Sequence, residues 1–366
     1  MDSANIASSG DAVCRTSVIP TPLKTLHIVL DDAKNSLLPY LRGRIERLAP
    51  PMNTVAAYHF GWVDQNGAPR QSRPGKFLRA ALAIVTTDAC GLPKEIGLRA
   101  AAAVELVHNF SLLHDDIMDG DAKRRGKPTA WVAFGVPLAV LTGDGLLAAA
   151  YSEFAESGKL YESNIHTSEA TRLLAATVQD LIVGQALDLD FETREHVVSL
   201  PECRLMHEGK TGALLSCASA LGATAGGASP TRLDALSRLG MHLGRSFQAW
   251  DDILGIWGDP KITGKPQWND LRNGKKTFPV VAALNAGGSA SEELGNLMSR
   301  NDWHAEPGMI ARSVQLIEAA GGRDAALDEA QRNYHQSLAA LESLEFDPAA
   351  HAQLTEIIDS VINRKF

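Results

Sequence analysis

Cysteine is scarce in this chain and badly placed for chemistry. Four occur in 366 residues, Cys14, Cys90, Cys203 and Cys217, and none forms a CxxC pair. That spacing supports neither a disulfide framework nor a thiolate zinc site, so a reduced, cytoplasmic setting is expected. Basic charge is not in excess either: the formal net charge is −8, whereas a general nucleic-acid binder needs a basic face. A small anionic substrate stays open, because local clusters can oppose the global balance. The opening residues, "MDSANIASSGDAV", carry no basic n-region and no apolar h-region, and no signal peptide is expected. No window of 18 residues is wholly apolar; "VPLAVLTGDGLLAAAY" is interrupted by Asp144, and no membrane span is expected. Strand-like alternation bounded by hairpin turns does not recur, and no repeat appears at solenoid periods.

What is present is helix. Hydrophobic residues make up 45% and charged residues 21%, an ordinary globular balance with ample core. From Thr25 onward apolar residues recur at spacings of three and four, as in "AAAVELVHNFSLLHDDIMD" and "LSRLGMHLGRSFQAWDDILGIW". Breaks fall at "QNGAPRQSRPG", "GDAKRRGKPT", "GDPKITGKPQWNDLRNG" and "NAGGSA". The reading is all-α: a mobile tail over residues 1–22, then one domain of roughly a dozen helices over 23–366.

Two acidic clusters punctuate that pattern. Asp115 and Asp119 share a helix face, Asp116 sits about 100° round, and His108 lies two turns before Asp115. The residues between are mostly apolar, so the face enters the protein before its carboxylates appear. Acids at a helix C-terminus oppose the macrodipole, which argues against a bland solvated end. Hard oxygens on one face suit Mg²⁺ bridging to phosphate. The arrangement returns at Asp251 and Asp252, with Asp259 seven residues beyond. Each cluster is followed by basic residues: Arg124 and Arg125 after the first, Lys265, Lys275 and Lys276 after the second. If the clusters face each other, metals held between them would grip a diphosphate while the cations neutralise its remaining oxygens.

These residues resemble the trans-isoprenyl diphosphate synthases, the head-to-tail polyprenyl synthetases. "DDIMD" followed by "RRGKPT" is similar to that family's first aspartate-rich motif, and "FQAWDDILGIWGD" to its second. "PGKFLR" at 74–79, "VELVHNFSLLHDD" at 104–116, "EGKTGALL" at 208–215 and "TGKP…KKTFPV" at 263–280 match further, in the family's order. The resemblance implies an all-α isoprenoid synthase fold, with antiparallel helices around a central cavity, and a homodimer. It implies condensation of isopentenyl diphosphate with an allylic diphosphate. Pyrophosphate leaves the allylic partner with the help of Mg²⁺, the isopentenyl double bond attacks the cation, and the released pyrophosphate takes the proton. Charge developing on the leaving group must be met by fixed cations and metal, and the carbocation must be kept from water.

Carried over residue by residue, the resemblance places two Mg²⁺ on Asp115 and Asp119 and a third on Asp251. Asp116 and Asp252 would orient the shell. Arg124, Lys210, Lys265 and Lys275 would grip the allylic diphosphate. Gly75, Lys76, Arg79, His108 and Arg125 would hold isopentenyl diphosphate, and Thr211 and Gln248 would turn oxygen dipoles to the developing cation. Taken singly, His108 would be a core histidine, Gln248 a packing amide, and Lys76 and Arg79 a solvated helix face; their joint order lifts them. The sequence departs from the pattern at Gly255, where the second motif usually has a third aspartate, and Asp259 could partly substitute.

The growing chain should run from Asp115 towards its helix's N-terminus. Ser111, one turn below, is small, and Phe110 is bulky. One aromatic there, with no insertion in the aspartate motif, resembles the geranylgeranyl (C20) diphosphate synthases, with Val107, Val104 and Ala103 tuning depth. A methylene is worth only about 0.8 kcal/mol of burial, so blockage rather than affinity must set length. The alternatives are a farnesyl (C15) synthase, a class I terpene cyclase and a non-catalytic partner subunit. For a cyclase, "NDLRNGKKT" begins like the second motif, but Asn273 and Thr277 stand at its hydroxyl and glutamate positions.

Overall fold

In the computed structural model, residues 22–70, 75–155, 164–194, 196–263, 266–300 and 302–362 are described. They form α1 (Pro22–Glu46), α2 (Met52–Phe60), α3 (Leu78–Ala89), α4 (Lys94–Met118), α5 (Ala130–Phe134), α6 (Val136–Ala155), α7 (Asn164–Thr193), α8 (Leu200–His207) and α9 (Ala213–Ala225). After these come α10 (Pro230–Trp257), α11 (Pro260–Thr263), α12 (Asn269–Arg272), α13 (Phe278–Asn285), α14 (Gly288–Met298), α15 (Pro307–Ala319), α16 (Gly322–Glu342) and α17 (Pro348–Ile362). The all-α expectation holds, with more helices than expected because the breaks themselves coil into short turns of helix. The expected tail, 1–22, lies outside the described residues except for Pro22, which opens α1 one residue before the expected boundary.

Two short strands, β1 (Lys123–Arg124) and β2 (Lys127–Pro128), pair as a hairpin. The two residues between them, Arg125 and Gly126, have φ of 51° and 75°, the positive values a type I′ turn requires. Arg125 is therefore held where side chains are rarely tolerated, a strain that points to function.

The larger core is built on α4. Ala100, Ala101, Ala102 and Ala103 are wholly buried, and their small side chains let α3, α6 and α9 pack closely around it. Among the described residues α4 is the one helix long and apolar enough to cross a membrane, and 78% of its most apolar stretch is buried inside the protein. It is a core helix, enclosed by α3, α6 and α9. A smaller core under the end of α10 gathers Ile256, Leu271, Val280, Leu294 and Trp303. It anchors α12 and α13, and with them the loop that carries Lys275.

Candidate active site

The first acidic cluster is placed by the way α4 ends. Asp119 caps the helix, and Gly120 follows at φ 66°. Asp121 N–H donates to Asp116 O (2.9 Å) and Gly120 N–H to Ile117 O (3.3 Å), the two bonds of a Schellman stop. The chain turns at once into the β1–β2 hairpin, so the arginines lie over the carboxylates they follow in sequence. Arg124 Nε donates to Asp116 Oδ1 at 2.6 Å, and Asp116 is 1% exposed. Asp116 Oδ2 is buried with no partner. Burial lifts the Asp115 carboxyl to about 6, helped by Asp119 and Asp188 and opposed by Lys210 and Arg124. Carboxylates crowded in this way are short of positive charge.

The hairpin is bolted down by Lys127. Its buried ammonium donates to Tyr58 O and His59 O and lies 4.1 Å from the Tyr58 ring centroid. Burial, then Arg125 and Arg70, lower its pKa to about 8. Arg125 is thereby aimed at Gly75: a Cβ there would meet Arg125 Nη2 at 3.1 Å. Glu105, Arg79 and His108 join it. Glu105 is 6% exposed; burial raises its pKa, while Arg79, Arg125 and the Ala80 N–H pull it down. His108 is held well below its usual value by burial and by Arg79, Arg125 and Arg124. His59 behind it is lowered to about 3, by burial and then by Arg124, Lys127 and Arg125. Both imidazoles are neutral donor–acceptors in a basic pocket.

The opposite side is built by close helix approach. A π-helical turn, Glu208–Gly212, joins α8 to α9 and re-aims Lys210 and Thr211 relative to a regular helix. It is forced where backbones meet: a Cβ on Gly184 would strike the backbone at Gly209–Lys210, and one on Gly244 the Gly212 backbone. Lys210 Nζ bonds Asp188 of α7, and Lys275 Nζ lies 3.8 Å from Asp119 and 4.0 Å from Asp188. Lys275 therefore bridges the acidic walls of α4 and α7, with Lys210 beside it on Asp188 and acting on Asp115 through its charge, and Glu192, one turn beyond Asp188, has its pKa raised first by burial and then by Asp188 and Asp119.

Asp251 and Asp252 differ sharply despite adjacency. Asp251 is half-buried, whereas Asp252 is 3% exposed. Asp252 accepts from His207 Nε2 (3.0 Å), Phe278 N–H (2.9 Å) and Gln248 Nε2 (2.9 Å). Burial opposes its ionisation, but His207 and these donors hold its pKa below the usual range. Gln248 Oε1 in turn accepts from Thr211 Oγ1 at 2.6 Å. Asp252 is a buried anchor that fixes Gln248, and through it Thr211.

Several expectations change. Asp259 is exposed and accepts the Lys261 N–H at 2.8 Å across the start of α11, so it serves that turn and does not fill the place vacant at Gly255. Lys265 lies outside the described residues, as does Pro74 of the "PGKFLR" stretch. Thr211 and Gln248 are brought together as expected, but bonded to each other. Missed altogether were Asp188, Glu192, His207, Glu105 and Lys127. The four-residue spacing of Asp188 and Glu192 was readable; the others are marked only by burial.

Hard oxygens short of cations, including the orphaned Asp116 Oδ2, fit a divalent metal. Among the described residues no three His, Cys, Asp or Glu side chains converge to hold an ion. Acidic walls with lysines between them, beside a basic pocket at the end of a buried apolar helix, are the charge pattern that a diphosphate and a divalent metal would require. The polyprenyl synthetase family profile matches residues 62–316, and the chain belongs to that family. It is 38% identical over 339 residues to the (2E,6E)-farnesyl diphosphate synthase of Mycobacterium tuberculosis, covering 92% of this chain and 93% of that one. It is 41% identical over 317 residues to the geranylgeranyl diphosphate synthase of the same organism, covering 86% and 88%. A solved polyprenyl synthetase from Streptomyces coelicolor A3(2) superposes with a TM-score of 0.85 at 45% identity, covering 92% of this chain and 99% of that one.

Proposed function

We propose that this protein is a head-to-tail prenyltransferase that lengthens allylic diphosphates with isopentenyl diphosphate. The observation that carries the reading is the pair of lysines, Lys210 and Lys275, lying between the acidic walls of α4 and α7. Asp115 and Asp119 would hold two Mg²⁺ and Asp251 a third; bound there, the metal supplies charge that stabilises the departing pyrophosphate. With the diphosphate in place, Lys210 and Lys275 exchange their carboxylate partners for its oxygens, joined by Arg124 and Lys265.

The second substrate's diphosphate sits in the basic pocket of Gly75, Lys76, Arg79, His108 and Arg125. Gly75 leaves room for the Arg125 guanidinium, and neutral His108 can donate one hydrogen bond without adding charge. As the allylic C–O bond breaks, its electron pair leaves with pyrophosphate. The isopentenyl double bond forms the new C–C bond, and the proton lost from the adduct goes to that pyrophosphate. Thr211 and Gln248 border the cation, with Gln248 Oε1 held in place by Asp252 and keeping a lone pair beyond the one Thr211 uses.

A C20 product is favoured by the floor. Ser111 is small and half-buried one turn below Asp115, while the Phe110 ring is drawn aside onto His114, 4.8 Å between centroids. His114 is itself wedged on α6, its Nε2 3.1 Å from Val140 O. A C15 product is the second reading, since Val107, Val104 and Ala103, deeper on the same helix, have no exposed surface. The chain works as one domain and pairs with a second copy. Leu141 of α6 and Ile182 and Val183 of α7 are each more than half exposed on helices that pack together, an apolar stripe that a copy of itself would cover.

The test is Asp115→Ala. It should abolish turnover with the circular dichroism spectrum retained; near-normal activity in a folded variant would refute the metal role.

A further inference from the structure

The second aspartate cluster, the wall formed by Asp251 and Asp252 at the end of α10, lacks the third carboxylate that the family resemblance implies, because Gly255 stands there. The structure shows what occupies the space. A Cβ built on Gly255 would collide with the Asp270 carboxylate, Oδ2 first. Asp270 is the second residue of α12, and α12 packs on α10.

We propose that Asp270 supplies the missing carboxylate of the second wall from α12. Gly255 and Asp251 are one turn apart on α10, so their Cβ positions would lie about 5–6 Å from each other on one face. The Asp270 oxygens stand where the first of those positions would be, beside Asp251. The backbone ties Asp270 to the mouth: its carbonyl accepts the Lys275 N–H at 2.9 Å, and the Lys275 ammonium lies 3.8 Å from Asp119 and 4.0 Å from Asp188. The glycine is thus a requirement of the arrangement: any side chain at 255 would displace Asp270. Asp251 from α10 and Asp270 from α12 would then hold the third metal together. Leu271, fully buried next to Asp270, locks α12 in that register.

This rests on the proposed metal role of the acidic walls, and the experiment separates the two. Mn²⁺ bound per chain is counted by electron paramagnetic resonance at saturating inorganic pyrophosphate, for wild type, Asp115→Ala, Asp270→Asn and Gly255→Asp/Asp270→Gly. The inference expects Asp270→Asn, which keeps the side chain's size, to lose one Mn²⁺ or to bind it at least about tenfold more weakly. The double variant, which returns the carboxylate to α10, should recover it. Full Mn²⁺ binding by Asp270→Asn while Asp115→Ala loses metal would overturn the inference alone. Full binding by both would overturn the metal reading itself. If Asp270→Asn does not fold, the double variant decides: recovered binding supports the inference, and a folded double variant short of one Mn²⁺ contradicts it.

Discussion

His207 Nε2 stands 3.0 Å from Asp252 Oδ2, and neither residue is more than 3% exposed. Asp252 raises the His207 pKa to about 10, through its charge and its hydrogen bond, with Cys203 assisting; burial is the largest single influence and works the other way. A buried ion pair earns its place here by what hangs on it. The same carboxylate receives the first N–H of α13 and the Gln248 amide, so it ties α8, α10 and α13 together at the site.

Removing the imidazole leaves a buried carboxylate without its counter-charge. His207→Ala should cost about 3–5 kcal/mol of unfolding free energy near pH 6. The pH dependence has a definite sign. The folded pKa of about 10 lies above the ordinary histidine value of 6.5, so the His207 contribution is complete below pH 6.5 and drains away as pH rises through 10. The Asp252 contribution runs oppositely, present above the ordinary aspartate value of 3.8 and lost in acid. Urea unfolding of both proteins from pH 6 to 10 should show the gap narrowing; a constant gap would mean that the pair is not ionised.

Gln248 is the link between that anchor and the reacting carbons. Gln248→Leu should lower kcat on the order of 10²-fold, as loss of one preorganised dipole does elsewhere, with KM for both diphosphates little changed. Steady-state kinetics would check this. A rise in KM without loss of kcat would move Gln248 from the cation to the diphosphates.

Product length should follow the two floor residues in opposite directions. Ser111→Phe puts a ring one turn below Asp115 and should shorten the product to C15 or less. Phe110→Ala removes the ring held by His114 and should let chains pass C20. Chromatography of dephosphorylated products reads both. Unchanged length in both variants would place the stop on another helix.

The helical class was legible because apolar spacing of three and four is a local property of each segment, and so was the end of α4, where Gly120 follows the last aspartate. The Arg–Arg–Gly turn after it could be read as a break but not as a strained hairpin aiming Arg125 at Gly75. The π-turn at Lys210 was hidden, since it arises where Gly184, Gly209, Gly212 and Gly244 bring three backbones together, a tertiary fact. Asp251 and Asp252 look alike in sequence; only burial and three donors make the second an anchor. Asp270 sits in a segment rich in turn residues, and its meaning depends on a glycine fifteen positions earlier that the fold sets against it.

Head-to-tail elongation is measured directly by incubating the purified chain with Mg²⁺, labelled isopentenyl diphosphate and each of the C5, C10 and C15 allylic diphosphates, then dephosphorylating and sizing the products. Linear prenyl alcohols with C20 dominant are the expected products. A cyclic hydrocarbon, or no consumption of isopentenyl diphosphate with any starter, would contradict head-to-tail elongation.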